Sequence, residues 1–293
     1  MVIVSKPQVV IGFSIIRIYL NGFLKQLDGF YAEQGNTTKA IQSFEQAIEL
    51  KPDFVEGHNN LGNVFQELGD YQKATTCYQN AIKLDPTYAE AHYNLGKVYK
   101  ELDKNQEAIT CYQSAIKLDP NYTESHNNLG NALSGLNRFQ EANISYKEAL
   151  RLTPDYPEAH NNLANSLSKK WEDLEEAIFH YKKAIQLKPE FYEAHFNLGV
   201  TLNKWNDSDQ AIGHLQEAIR LEPNLPEPHL VLGNILSQKR NFKTAIDHLE
   251  TTIKMDPNNA IAHNSLGSAL GEQGNFKQAI AHFNTAIKIN PHY

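Results

Sequence analysis

Three sets of side chains in this sequence have the types and spacing to do chemistry. Seven of its twelve histidines, His58, His92, His126, His160, His195, His229 and His263, recur at intervals of 34 or 35 residues. Four more, His180, His214, His248 and His282, form a second series in steps of 34. Imidazole is the commonest metal ligand, so metal binding is the first chemistry to weigh. Ligands must converge to about 2.0–2.1 Å from one ion, whereas equivalent positions on packed neighbouring helices lie about 8–10 Å apart. The series therefore predict flat rings packed between helices, with no metal site and no cofactor. The two cysteines, Cys77 and Cys111, are also 34 residues apart, beyond the roughly 7 Å that a disulfide spans if they sit on neighbouring helices. A reducing, cytoplasmic compartment is expected.

The third set is Asn60, Asn94, Asn128, Asn162 and Asn197, again in phase. An Asn amide offers two N–H donors and an acceptor, the set that pairs with the backbone of an extended peptide without reading its side chains. Rungs about 10 Å apart meet every third residue of a strand rising about 3.3 Å per residue. Asn59, Asn63, Asn127, Asn131, Asn161 and Asn165 extend the amide-rich surface. The series lapses at Val231 and Ser265. Phe196 and Leu230 stand where other repeats are polar, which makes them either an apolar anchor for a bound segment or denser packing between repeats. Glu56, Glu90, Glu124, Glu158, Glu193 and Glu227 occupy another column. They either face the same groove, which then favours neutral or basic segments, or complement the positive end of a helix dipole.

These columns need a periodic scaffold, and the prolines reveal it. Pro52, Pro86, Pro120, Pro154, Pro189, Pro223, Pro257 and Pro291 are 34 residues apart with one step of 35. Within each period the apolar residues recur at i, i+3, i+4 and i+7, once before and once after a turn, so each unit is two helices. Small residues such as Gly62, Gly96 and Gly199 are expected to let the first helix approach the second at Ala74, Ala108 and Ala211. Gly35, Gly69, Asp103, Asn137, Asn206 and Gly274 fall in the inter-helix turns, where a left-handed residue ends a helix. Proline stops each second helix because it cannot continue one. The fifth unit is one residue longer and absorbs the extra residue between Lys169 and Asp173.

His58-x-x-Leu61-Gly62-x-x-Phe65, Ala74-x-x-x-Tyr78-x-x-Ala81 and Pro86, repeated in phase, resemble the tetratricopeptide repeat. The resemblance covers residues 21–293 in units 21–54, 55–88, 89–122, 123–156, 157–191, 192–225, 226–259 and 260–293. It implies an all-α, right-handed superhelical solenoid of about eight helix-turn-helix units with the first helices lining a concave surface. The first unit keeps Leu27, Tyr31, Ala40, Phe44 and Ala47 but has Asp28 in the glycine position. The asparagine series is similar to the ladder in the repeat arm of O-linked N-acetylglucosamine transferase. The carboxylate clamp of chaperone-binding repeats is not matched: Lys25 and Asn60 fit, but Gly29, Glu90 and Asn94 do not.

Other function classes are excluded on inventory. A net charge of −7 with no basic run argues against a nucleic-acid partner. Residues 1–20 hold an apolar stretch that is short for a membrane span and is interrupted by Arg17; they read either as a helix covering the first unit or as a targeting segment, and no membrane partner is expected. No phosphate loop or nucleophile motif is present, so no enzyme is expected. The expected function is a scaffold that binds an extended, unstructured peptide or protein segment through the five asparagines with Phe196 and Leu230. The alternative is the recognition arm of a protein O-GlcNAc transferase whose catalytic domain is absent. With no polar helix after Tyr293 to cover the last unit, end-to-end self-association is also expected.

Overall fold

A computed structural model describes residues 37–291 and contains, among those residues, fifteen helices and no strand. Residues 1–36, among them Leu27, Asp28, Tyr31 and Gly35, and the last two residues lie outside the described residues. The chain forms two compact units, Met1–Leu136 and Asn137–Tyr293.

The first unit contains α1 (Thr37–Leu50), α2 (Val55–Glu67), α3 (Tyr71–Leu84), α4 (Ala89–Glu101), α5 (Asn105–Leu118) and α6 (Thr123–Gly135). The second contains α7 (Phe139–Leu152), α8 (Pro157–Leu167), α9 (Leu174–Leu187), α10 (Tyr192–Lys204), α11 (Ser208–Leu221), α12 (Pro226–Gln238), α13 (Phe242–Met255), α14 (Ala260–Glu272) and α15 (Phe276–Ile289). In α3 the buried residues are Ala74, Cys77, Tyr78 and Ala81, one stripe with the 3.6-residue period of an amphipathic helix. Asp85 and Asp119, which end α3 and α5, have extended backbones. That is what the ring of the following proline demands of the residue before it.

The glycine columns act on different partners from those the sequence suggested. A Cβ built on Gly62 or Gly96 would lie 2.6 or 2.7 Å from the ring of Tyr78 or Tyr112. On Gly199 it would meet the Leu215 side chain at 2.7 Å and the Ala211 carbonyl at 3.2 Å. The glycine thus makes room chiefly for the large side chain four residues beyond the expected alanine. Tyr78, Tyr112, Tyr146, Tyr181, Leu215 and Leu249 are fully buried and continue this column through both units.

The expected left-handed turn residues are found at Asp103, Asn137 and Asn206 with φ of 55°, 58° and 68°, and at Gly69 and Gly274. Arg240 adopts φ 61° in the turn before α13, a conformation its residue type does not announce. A left-handed L-residue carries a cost of about 1–2 kcal/mol that glycine avoids. Arg240→Gly is therefore expected to stabilise the second unit by about 1 kcal/mol in a urea melt after glycine's greater unfolded-state entropy is taken off. An unchanged or lower midpoint would count against this account.

In the fifth repeat α8 stops at Leu167 and the residues before Leu174 form a longer turn, so the extra residue is absorbed where the sequence placed it. This turn exposes Trp171, which stacks on the exposed Trp205 with ring centroids 5.9 Å apart.

Candidate functional site

The asparagine series sits on first helices, but most of its amides in the first unit are engaged. Asn94, on α4, is only 5% exposed, and its Nδ2 donates to Asn59 Oδ1 at 3.1 Å. Asn59 Nδ2 in turn donates to Glu90 Oε1 at 3.0 Å. Asn128 Nδ2, on α6, donates to the Tyr93 hydroxyl at 3.1 Å, and Asn128 Oδ1 accepts from Asn127. Asn60 is half-buried beside Asn59. The rungs therefore stitch one repeat to the next before they offer anything to a ligand. The amide wall is similarly committed: Tyr78 donates its hydroxyl to Asn63 Oδ1 at 2.7 Å, and Tyr181 donates to Asn165 Oδ1 at 2.6 Å. A buried phenol needs such a partner, and these amides supply it.

What α2, α4 and the turn before α6 build together is a pocket of about 660 Å³. Tyr88, Tyr93 and Tyr122 line it with Asn63, Asn94 and the carboxylates of Glu67, Glu90 and Asp119. The Tyr93 and Tyr122 ring centroids are 4.8 Å apart. Tyr88 donates its hydroxyl to Glu90 Oε2 at 2.9 Å, so Glu90 is held from two sides. Burial pushes the phenols of Tyr88 and Tyr122 up, and the Glu90 carboxylate raises both further. Burial also raises Tyr93, helped by Glu124. The pocket is aromatic and electronegative. Sequence reading anticipated only part of it: Glu90 belongs to the glutamate column and Asn94 to the ladder. The tyrosines gave no signal because Tyr88 and Tyr122 precede the helices and resemble ordinary aromatic packing.

In the second unit Asn162 and Asn197 are half-buried. Phe196 stacks in parallel on Tyr192 with centroids 6.2 Å apart. Leu230 packs against the core formed by Leu249, Leu266 and Leu270, so its apolar character is largely used in packing. Phe196 is the better placed of the two for an outside contact.

The two histidine series meet in the second unit. Nδ1 atoms face one another at 2.8 Å in His160–His180, 3.1 Å in His195–His214, 2.9 Å in His229–His248 and 3.0 Å in His263–His282. Nε2 of His160, His195 and His263 lies 3.0, 3.1 and 3.2 Å from the carbonyl of the proline six residues earlier. A carbonyl only accepts, so Nε2 carries the proton and Nδ1 accepts from the second-helix histidine. The facing nitrogens of each pair are committed to one another, and no cluster of three or more metal-ligating residues occurs among the described residues. Cys77 and Cys111 occupy the same column in the first unit; both are free, and burial raises their thiols to about 11 and about 12. No described helix is long and apolar enough to cross a membrane.

Paired helices with this period, small-residue columns and proline stops define a helical-repeat protein. Sequence models described as TPR repeat match residues 30–69, 63–103, 135–170 and 172–206, and models described as tetratricopeptide repeat match 89–122, 111–142, 192–225 and 230–293. The chain belongs to the tetratricopeptide-repeat family, whose members are generally protein-interaction scaffolds. It is similar to the crystal structure of YrrB, described as a TPR protein with an unusual peptide-binding site, at 24% identity over 64% of this chain and 97% of that one, with a TM-score of 0.55. It is also similar to a chain of the APC/C hetero-tetramer Cut9-Hcn1, at 21% identity over 84% of this chain and 48% of that one, TM-score 0.68. The corresponding values for MamA are 26%, 56%, 95% and 0.52. No curated protein matches the chain.

Proposed function

We propose that this chain is a protein-interaction scaffold that binds an extended, unstructured peptide, with the principal contact in the tyrosine-lined pocket of the first unit. The observation that carries the reading is Asn94. It lines the pocket almost fully buried, its only hydrogen bond uses Nδ2, and Oδ1 makes none among the described residues. An acceptor in that position suits a peptide N–H. Asn60 and Asn128 flank it in sequence register, while Asn162, Asn197 and Phe196 repeat the amide-and-aromatic theme within the second unit. End-to-end association of two copies belongs to the same reading and is supported by the exposed Phe276, Ile280 and Ile287 of α15.

The experiment is to select binders for the full chain from a library of disordered peptides and to measure their affinities for variants. A net hydrogen bond contributes about 0.5–1.5 kcal/mol, so Asn94→Ala is expected to weaken binding about threefold to tenfold. Tyr122→Ala removes stacking area and is expected to weaken it more. Unchanged affinity in both variants, with helicity intact, would sink the proposal. The alternative arm of a protein O-GlcNAc transferase draws on the asparagine series alone, and its chemistry would lie outside these 293 residues.

A further inference from the structure

We propose that the pocket of the first unit is an arginine-recognition site: the guanidinium of a basic, extended peptide lies over the Tyr93–Tyr122 pair and forks onto the Glu90 carboxylate. The inference rests on the peptide-binding reading above and adds the ligand's chemistry.

Four observations lead to a cation. Glu67, Glu90 and Asp119 line the pocket, and none has a Lys or Arg partner among the ion pairs of the described residues. On second helices of the other unit some carboxylates do have one, as Glu141 does with Arg138 and Glu217 with Arg220. Next, the Tyr93 ring already attracts a cation, because Lys97 Nζ stands 5.6 Å from its centroid, with no ion-pair partner among the described residues. This ammonium, on a flexible stem, is displaceable and marks where an incoming charge would rest. Third, Glu90 is fixed: Asn59 donates to one oxygen and Tyr88 to the other, leaving the outer lone pairs of both for a fork-shaped donor. Last, the nearly buried Asn94 leaves its Oδ1 for the segment's backbone or the fifth guanidinium N–H.

Arginine meets these demands better than lysine. Its planar cation stacks on aromatic faces, is weakly hydrated and donates in parallel to two carboxylate oxygens. A lysine ammonium satisfies the charge and leaves the plane and the fork unused. The volume of about 660 Å³ takes the side chain together with its flanking backbone.

The test uses the full chain and random twelve-residue disordered peptides. Arginine should be enriched at one position of the selected binders. Replacing that arginine by citrulline, which keeps the shape and loses the charge, should weaken binding at least tenfold, and lysine should weaken it about threefold to tenfold. Glu90→Gln keeps the size of the side chain, removes its charge and one arm of the fork, and should erase most of the arginine-citrulline difference, whereas replacing the exposed Ile144 of α7, outside the pocket, with serine should leave it unchanged. Binders in which citrulline serves as well as arginine, or a full arginine preference persisting in the Glu90→Gln variant, would overturn the inference while the peptide-binding reading stands. Failure to recover any peptide would overturn both.

Discussion

Acidification from pH 7 to pH 4 is expected to strip the second unit of several kcal/mol of stability. The cause is the row of histidine pairs. Burial first, and second the partner His160 or His195, lower His180 and His214 from 6.5 to about 4. His160, His229, His248 and His282 are lowered as well, chiefly by burial. In each case the unfolded chain binds the proton first. The stabilisation is therefore complete above the unfolded pKa near 6.5 and drains away as the pH falls towards the folded value. A tenfold change in proton affinity is worth about 1.4 kcal/mol, so His180 and His214 each account for a loss on the order of 3 kcal/mol by pH 4. The charged groups around them act in both directions: Glu176 favours protonation of His180 and Lys147 opposes it, while Glu217 and Lys182 play these parts at His214. None outweighs burial.

Urea melts at pH 7, 6, 5 and 4 should show a falling midpoint. Amide exchange should place the loss in α8 to α15. The control comes from the chain itself, since the column that holds His180 and His214 holds Ser145 one repeat earlier. A His180→Ser, His214→Ser double variant removes both second-helix imidazoles with a side chain that this column already accommodates, Ser145 donating its hydroxyl to the Glu141 carbonyl at 3.2 Å. It should start from a lower stability at pH 7 and show a flatter acid dependence. A wild-type midpoint that is level from pH 7 to 4 would refute the account.

Truncating Tyr112 is the most damaging single substitution expected in the first unit. The ring is 1% exposed, fills the space beside Gly96 and lies 6.0 Å from Tyr93, centroid to centroid. Tyr112→Ala removes a fully buried aromatic from between α4 and α5, and losses of about 3–5 kcal/mol are usual for such a cavity. The helices cannot close onto it easily, because their spacing is set by the same column in the neighbouring repeats. Tyr112→Phe keeps the ring and should cost far less. The second effect is on the pocket: with Tyr112 gone, Tyr93 loses its support, and peptide affinity should fall even at temperatures where the variant remains folded. A Tyr112→Ala variant within about 1 kcal/mol of wild type would show that these repeats collapse around the void.

The repeat architecture is legible in the chain before any folding is considered, because periodicity is a local property. Prolines 34 residues apart, apolar stripes of helical period and Asp, Asn or Gly at the turns each act within a few residues of themselves. The family, the helix pairs and most left-handed turns can be read for that reason. Arg240 cannot, since nothing in an arginine announces a positive φ that its neighbours impose. Which columns meet is a matter of packing. The ladder asparagines are visible as a series, yet whether an amide faces a ligand or the preceding repeat depends on the rotation of each helix about its axis. Asn94 pairs with Asn59 and Asn128 with Tyr93 because successive first helices are packed closely enough to bring those positions together. The histidine pairs arise in the same way, from two columns on different helices whose Nδ1 atoms approach to within 2.8–3.1 Å only once the hairpins close. So does the pocket, whose tyrosines come from two turns and a helix and whose charge reflects carboxylates with no Lys or Arg partner among the described residues. Periodic spacing records which residues repeat, and packing decides what each repeated residue touches.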